Sequence, residues 1–173
     1  MGSRVSSDSE PQARVKGAAD FRHILGHYPT GVCAVTATGR DGRPVGMVVG
    51  SFTSVSLDPF LVGFFPDKSS STWPQIEAAG HFCVNVLSDE QGAVCKALAA
   101  KGDDKFSTVE FEPSGLGAPI IHGALAWIDC ELDAVHEAGD HYIVLGRVRD
   151  LDLHHAGNPL IFHKGGYSRA LPL

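Results

Sequence analysis

Hydrophobic and polar positions alternate through most of this 173-residue chain, and helical spacing is confined to three short stretches. Asp20 stands where it can cap a first helix, with Phe21, Ile24 and Leu25 on one face and Gly26 near its end. A second helix follows Thr72, carries Trp73, Ile76 and Ala79, and stops at Gly80. Ser88-Asp89-Glu90-Gln91 reads as a capping box opening a third, through about Ala100, with Gly102 beyond it. Strand-like runs rich in β-branched and aromatic residues fill the rest: Gly31–Thr38, Val45–Phe52, Val55–Phe65, His81–Leu87, Ala124–His136, His141–Val148 and Leu160–His163. Gly139-Asp140 makes a tight antiparallel hairpin between two of these runs. The stretch from Ser107 to Pro119 reads as a Gly- and Pro-rich loop. Residues 1–17 are polar and aperiodic, so they are expected to form a disordered tail before a single domain over 18–173. Hairpin-joined strands outnumber helices, and no G-x-G-x-x-G follows a strand. A mainly β antiparallel barrel with peripheral helices is therefore predicted over a doubly wound sheet.

The formal charge of −6 disfavours nucleic acid and anionic membranes, which reward a basic face. No apolar run has the length of a membrane span and no secretory leader pattern opens the chain, so a cytoplasmic protein is expected. Cys33, Cys83, Cys95 and Cys130 are widely spaced, three of them inside apolar strands where a thiol acts as a small hydrophobe. His154 and His155 are adjacent, and neighbours on an extended chain face opposite ways. With His163 they read as solvated groups, and no metal site is predicted.

Lys68-Ser69-Ser70-Ser71-Thr72 places a cation and four hydroxyls where a helix begins, a combination suited to phosphate. The same residues also suit an ordinary N-cap. Gly46-Met47-Val48-Val49-Gly50-Ser51-Phe52-Thr53-Ser54 is a strand interrupted by glycine and followed by hydroxyls. It would let a flat ligand such as a flavin ring approach the backbone, and it also fits the solvent face of an edge strand. Pro29-Thr30-Gly31-Val32 offers a turn with a free hydroxyl, Lys105-Phe106 a cation beside an aromatic, and His163-Lys164-Gly165-Gly166-Tyr167 a glycine-loosened loop. His141 and Tyr142 open a strand, where imidazole can reach a barrel mouth.

Taken in order, Pro29–Val32, Gly46–Pro59, Phe82–Leu87, Lys105-Phe106, Gly139–Val148 and Gly165–Tyr167 make the chain resemble the small flavin reductases of two-component flavin-dependent monooxygenases, within the FMN-binding split-barrel group. The resemblance spans Phe21 to Tyr167. It implies a six-stranded antiparallel Greek-key split β-barrel, usually a homodimer. NADH, or else NADPH, would reduce FMN or FAD by hydride transfer, and the reduced flavin would pass to a separate oxygenase component. On the matched positions, Pro29, Thr30, Gly31, Val32 and the stretch Met47, Val48, Val49, Gly50, Ser51, Phe52 with Ser54 would line the flavin ring. Lys68, Ser69, Ser70 and Thr72 would hold the flavin phosphate. Lys105, Phe106, Tyr142 and Tyr167 would complete the flavin site, and His141 would contact the nicotinamide as the catalytic-site residue.

Two positions depart from the pattern. Family members commonly carry Met-Thr-x-Asn-Ser-Phe where this chain has Met47-Val48-Val49-Gly50-Ser51-Phe52, and a double proline where it has Pro59-Phe60. Two other readings use the same residues: a non-catalytic flavin-binding or electron-transfer protein, and an oxidase of the pyridoxamine-phosphate type. The second would need more basic side chains than this chain offers.

Overall fold

The computed structural model describes residues 17–102 and 104–170. The tail expected over 1–17 therefore lies outside the described residues, apart from Gly17. Three helices accompany twelve strands: α1 (Ala18–Leu25), β1 (Thr30–Gly31), β2 (Cys33–Thr38), β3 (Pro44–Val49), β4 (Thr53–Leu57), β5 (Phe60–Phe64), α2 (Trp73–Ala79), β6 (His81–Val86), α3 (Gly92–Ala99), β7 (Phe111–Pro113), β8 (Pro119–Ile121), β9 (Ala126–Ala138), β10 (His141–Leu153), β11 (Leu160–His163) and β12 (Gly166–Arg169). Among the described residues, no helix is long and apolar enough to cross a membrane.

Seven strands pair in the order β3-β2-β6-β9-β10-β5-β4, all antiparallel, beside a three-stranded sheet β1-β11-β12 and a small β7-β8 ribbon. Six strands in a closed barrel were expected; the main sheet has seven, and among the described residues no pairing joins β3 to β4. The architecture is mainly β with three helices. In a flat sheet β3 and β5 would stand about 24 Å apart, five inter-strand spacings. Yet Val49 of β3 and Phe64 of β5 belong to one buried cluster with Val35, Trp73, Ile76, Phe82, Val84, Cys130 and Val144. The sheet therefore curls round a single core. Phe64 meets Trp73 and Phe82 edge-on at 5.8 and 5.3 Å, the geometry aromatic quadrupoles favour.

Strand β2 is buried on both faces because a second cluster, built on α3, covers its other side with Val32, Ala34, Cys95, Leu98 and Leu160. The polar groups trapped there are satisfied. Asn85 donates to Thr36 Oγ1 (3.1 Å) and to the Pro119 carbonyl (3.2 Å), and accepts from the Ile121 N–H (2.7 Å), which pins the β7-β8 ribbon to the sheet.

Local chemistry accounts for where sequence and structure part. Asp20 sits within the first turn of α1, and the N-cap position is Gly17, which provides no side-chain bond. The capping box is half realised: Gln91 Oε1 accepts from the Ser88 N–H at 3.0 Å. The run Val55–Phe65 is two strands, because Asp58-Pro59 turns the chain back on itself. Strand β10 runs five residues beyond the expected end at Val148, because irregularities at Leu145/Gly146 and Val148/Asp150 reset its register against β9.

Candidate active site

The segment after β3 bends out of the sheet at Gly50, which is exposed. A β-carbon at Gly50 would lie 2.7 Å from Thr30 Oγ1, closer than van der Waals contact allows. The Thr30 hydroxyl thus occupies the space a side chain at position 50 would need, so a larger residue there requires Thr30 to turn aside. Thr30 is held by the pairing of β1 with β11, where it faces Phe162. Phe162 in turn pairs with Tyr167, with ring centroids 5.4 Å apart. The outcome is an apolar recess lined by Val32, Val48, Val49, Gly50, Phe162 and Tyr167. Bare backbone at one edge and aromatic walls at the other fit a flat heteroaromatic ring. Val48 replaces the family's threonine as part of that apolar lining.

Tyr167 stands beside the Cys95 thiol of α3. That neighbour, with partial burial, pushes its phenol up to about 12. The hydroxyl therefore stays protonated at neutral pH.

Ser51 connects the recess to a second group of residues. Its Oγ accepts the Phe65 N–H at 2.9 Å, and the chain from Phe65 leads within two residues into the loop Asp67–Thr72. That loop is bound to the β9-β10 hairpin: Asp67 bridges His141, the Lys68 N–H donates to the Asp140 carbonyl, and the Tyr142 N–H donates to the Pro66 carbonyl. Lys68 Nζ donates to Glu137 Oε2 at 3.0 Å and lies 5.3 Å from the centre of the Tyr142 ring. Hydrogen bonds from Ser69 hold the Asp67 carboxyl below its usual range. Ser70 Oγ accepts from the N–H groups of Thr72 and Trp73 (3.3 and 3.2 Å), so it is the residue that caps α2. Ser69 and Ser71 remain exposed.

Asp140 Oδ1 lies 2.7 Å from His141 Nδ1, and this bond holds the Asp140 carboxyl below its usual range. With Nδ1–H donating to that carboxylate, Nε2 is the acceptor of the neutral ring.

Lys105 is engaged inside the protein. Its Nζ donates to the Gly46 carbonyl (3.2 Å), the Leu98 carbonyl (3.1 Å) and Thr72 Oγ1 (3.0 Å), which uses all three protons. Desolvation lowers its pKa from the ordinary lysine value. Phe106 packs on Gly46, whose β-carbon would lie 3.0 Å from the ring, and meets Phe111 at 5.5 Å. These two residues brace the site from behind.

The structure thus brings together Val32, Val48, Val49, Gly50 and Tyr167 in one recess, with Thr30 against Gly50 and Gly31 beside it in β1 after Pro29. It gathers Lys68, Ser69, Ser70, Thr72, His141 and Tyr142 around the loop and hairpin, with Ser51 between the two groups. Met47 and Phe52 pack against the main core, and Ser54 is exposed on β4 and is not one of the residues that line the recess. Sequence reasoning missed Phe162 and Glu137. Period-two alternation along Leu160–His163 was the available signal for Phe162; Glu137 carried none, since its partner is 69 residues away.

The chain belongs to the flavin reductase like domain family, whose model matches residues 25–171. It is 59% identical over 156 residues to a flavin reductase of Pseudomonas putida, covering 88% of this chain and 92% of that one. It is 42% identical over 170 residues to HsaB, the reductase subunit of a flavin-dependent monooxygenase of Rhodococcus jostii, covering 98% and 87%. Among solved structures it matches Streptomyces globisporus C-1027 NADH:FAD oxidoreductase SgcE6, in complex with NAD and FAD fragments. That match has a TM-score of 0.85 and 35% identity, covering 91% of this chain and 94% of that chain.

Proposed function

We propose that this chain is an NAD(P)H:flavin oxidoreductase, favouring NADH, that reduces FMN or FAD and releases the reduced flavin to a separate oxygenase component. The carrying observation is the continuity from the Gly50 recess, through Ser51 and Phe65, to the His141 hairpin. A ring docked in the recess and a nicotinamide beside His141 would lie within reach of one another. When bound, flavin supplies the hydride acceptor and NAD(P)H the donor, so no strong acid or base is required of the protein.

The residues contribute binding and alignment. The bare backbone at Gly50 and the Ser51 hydroxyl orient the polar edge of the ring, while Phe162 and Tyr167 exclude water from its face. Ser69, Ser71 and the Lys68 ammonium offer donors to a phosphate at the loop. His141, fixed by Asp140, accepts a hydrogen bond from a carboxamide at Nε2. Family membership, and relatives that are reductase subunits of monooxygenases, support the partner oxygenase. A cytoplasmic location fits the NADH supply.

Residues 18–173 act as one domain in this reading. The core shared from β2 to β10 supports a curled, split-barrel-like arrangement of the seven-stranded sheet. A homodimer would cover the apolar side chains left open at Phe21, Ile24, Leu25, Val55, Leu57 and Phe60. The deciding assay follows NADH absorbance with FMN, FAD and riboflavin added in turn, beside the visible spectrum of the purified protein. Turnover that saturates with added flavin is expected. A tightly held yellow chromophore without turnover would instead establish the non-catalytic reading.

A further inference from the structure

One basic cavity is not used by the flavin ring. It lies between the end of α1 and the β11-β12 turn, and is lined by Arg22, His23, Gly26, His27, Lys164 and Gly165. In a chain of net charge −6 this lining holds a guanidinium, an ammonium and two imidazoles, and no carboxylate. Neither Arg22 nor Lys164 forms an ion pair among the described residues. Such gathered positive charge is unfavourable to fold and favourable to an anion.

The cavity is also built at a conformational cost. Lys164 (φ 50°) and Gly165 (φ 79°) form the two-residue turn between β11 and β12. Both positions of such a turn require the left-handed region, where asparagine and glycine are at home and lysine is not. The turn is fixed against α1 by the Lys164 N–H, which donates to the Gly26 carbonyl at 2.9 Å. A β-carbon on Gly26 would lie 3.8 Å from Lys164 Cα, so the two segments are in contact.

Position supplies the ligand class. Phe162, a wall of the flavin recess, is two residues from Lys164 on the same strand and turn, about 7 Å along the chain. A molecule with its ring at Phe162 or beside it can extend its phosphates over the turn. We propose that this cavity binds the adenylate-side phosphate of an ADP-containing dinucleotide, the unit common to FAD and NADH, while the phosphate on the ribityl chain of a flavin stays at the Lys68 loop. The inference rests on the flavin reductase reading for its ligand class, and its test is independent of turnover.

The full-length protein is titrated with ADP by calorimetry, with adenosine as the uncharged control. ADP binding is expected to weaken at least about tenfold in Lys164→Asn and in Arg22→Gln, the loss expected for one charge-assisted phosphate contact. Adenosine binding should not change. Lys164→Asn suits the left-handed turn better than lysine, so a purely structural role would leave binding intact or improved. Kinetics separate the two sources. A rise in the KM for FAD with the KM for FMN unchanged assigns the pocket to the flavin dinucleotide. A rise in the KM for NADH, with that for reduced nicotinamide mononucleotide unchanged, assigns it to the nicotinamide dinucleotide. ADP that fails to bind, or binds both variants as tightly as the parent chain, overturns the proposal. A parent protein that binds ADP yet oxidises no NADH with any flavin would overturn the reductase reading and leave the pocket standing.

Discussion

Lys105 illustrates how a residue that looks like a ligand contact can act one layer behind it. Its ammonium holds the Gly46 carbonyl, the Leu98 carbonyl and the Thr72 hydroxyl together, and so fixes the last residue of the Lys68–Thr72 loop to β3 and α3. Lys105→Met should destabilise the protein by about 2–3 kcal/mol in urea unfolding, since three acceptors lose their donor at once. It should also raise the flavin Kd, read by fluorescence titration; a stable variant with unchanged flavin binding would free Lys105 from this role. His141 is the opposite case, a half-buried group whose side chain bonds Asp140. His141→Ala is expected to raise the KM for NADH about five- to tenfold with a smaller change in kcat, the size of one hydrogen bond. An unaltered KM would take it out of the nicotinamide site. The buried thiols should be inert: burial pushes Cys33 and Cys130 up to about 12, and drives Cys83 upward as well. Alkylation of the native protein by iodoacetamide should therefore be negligible at these positions and become rapid only in denaturant.

Among the elements, β10 depends on a glycine whose reason is packing. A β-carbon at Gly146 would overlap the tip of the Phe82 ring and stand 3.2 Å from Cys130 Cβ. The strand can cross the core at this point only without a side chain. Gly146→Ala should cost about 1–3 kcal/mol through overpacking, measured as a lowered thermal midpoint, with Phe82→Leu in the same chain recovering part of it. Gly50 shows the same physics in the site itself, where the Thr30 hydroxyl stands in the glycine's side-chain space. Helix α2 ends at Gly80 in the left-handed region (φ 73°), as a C-terminal glycine leads one to expect, but its start is capped by Ser70 from three residues away rather than by Thr72.

For the whole molecule, surface apolarity makes the clearest demand. Helix α1 buries none of its residues, although Phe21, Ile24, Leu25 and the following Tyr28 are large and apolar. On β4 and β5, Leu57 is 82% and Phe60 63% exposed. Surfaces of this kind ordinarily mark an interface. Sedimentation equilibrium is expected to give twice the chain mass of 18.3 kDa, and Leu57→Lys with Phe60→Lys to shift it toward the single chain. A monomeric parent protein would leave those faces to the partner oxygenase instead.

Alternation of apolar residues, the glycine stops and the Gly139-Asp140 hairpin were enough to read the principal strands and helices, because these are decided by neighbours within a few residues. The ordered motifs from Pro29 to Tyr167 likewise disclosed the family. The strand count and the open run of seven were not legible, since closure depends on curl and on pairings between β2 and β6 or β10 and β5, far apart in the chain. Nor did any local pattern show that Thr30 occludes Gly50, that Glu137 takes Lys68, or that Lys105 is spent on three internal acceptors. Sequence determines which groups are available. Only the folded chain decides which of them are already satisfied and which remain open to a ligand, because a donor's partners lie wherever tertiary packing puts them.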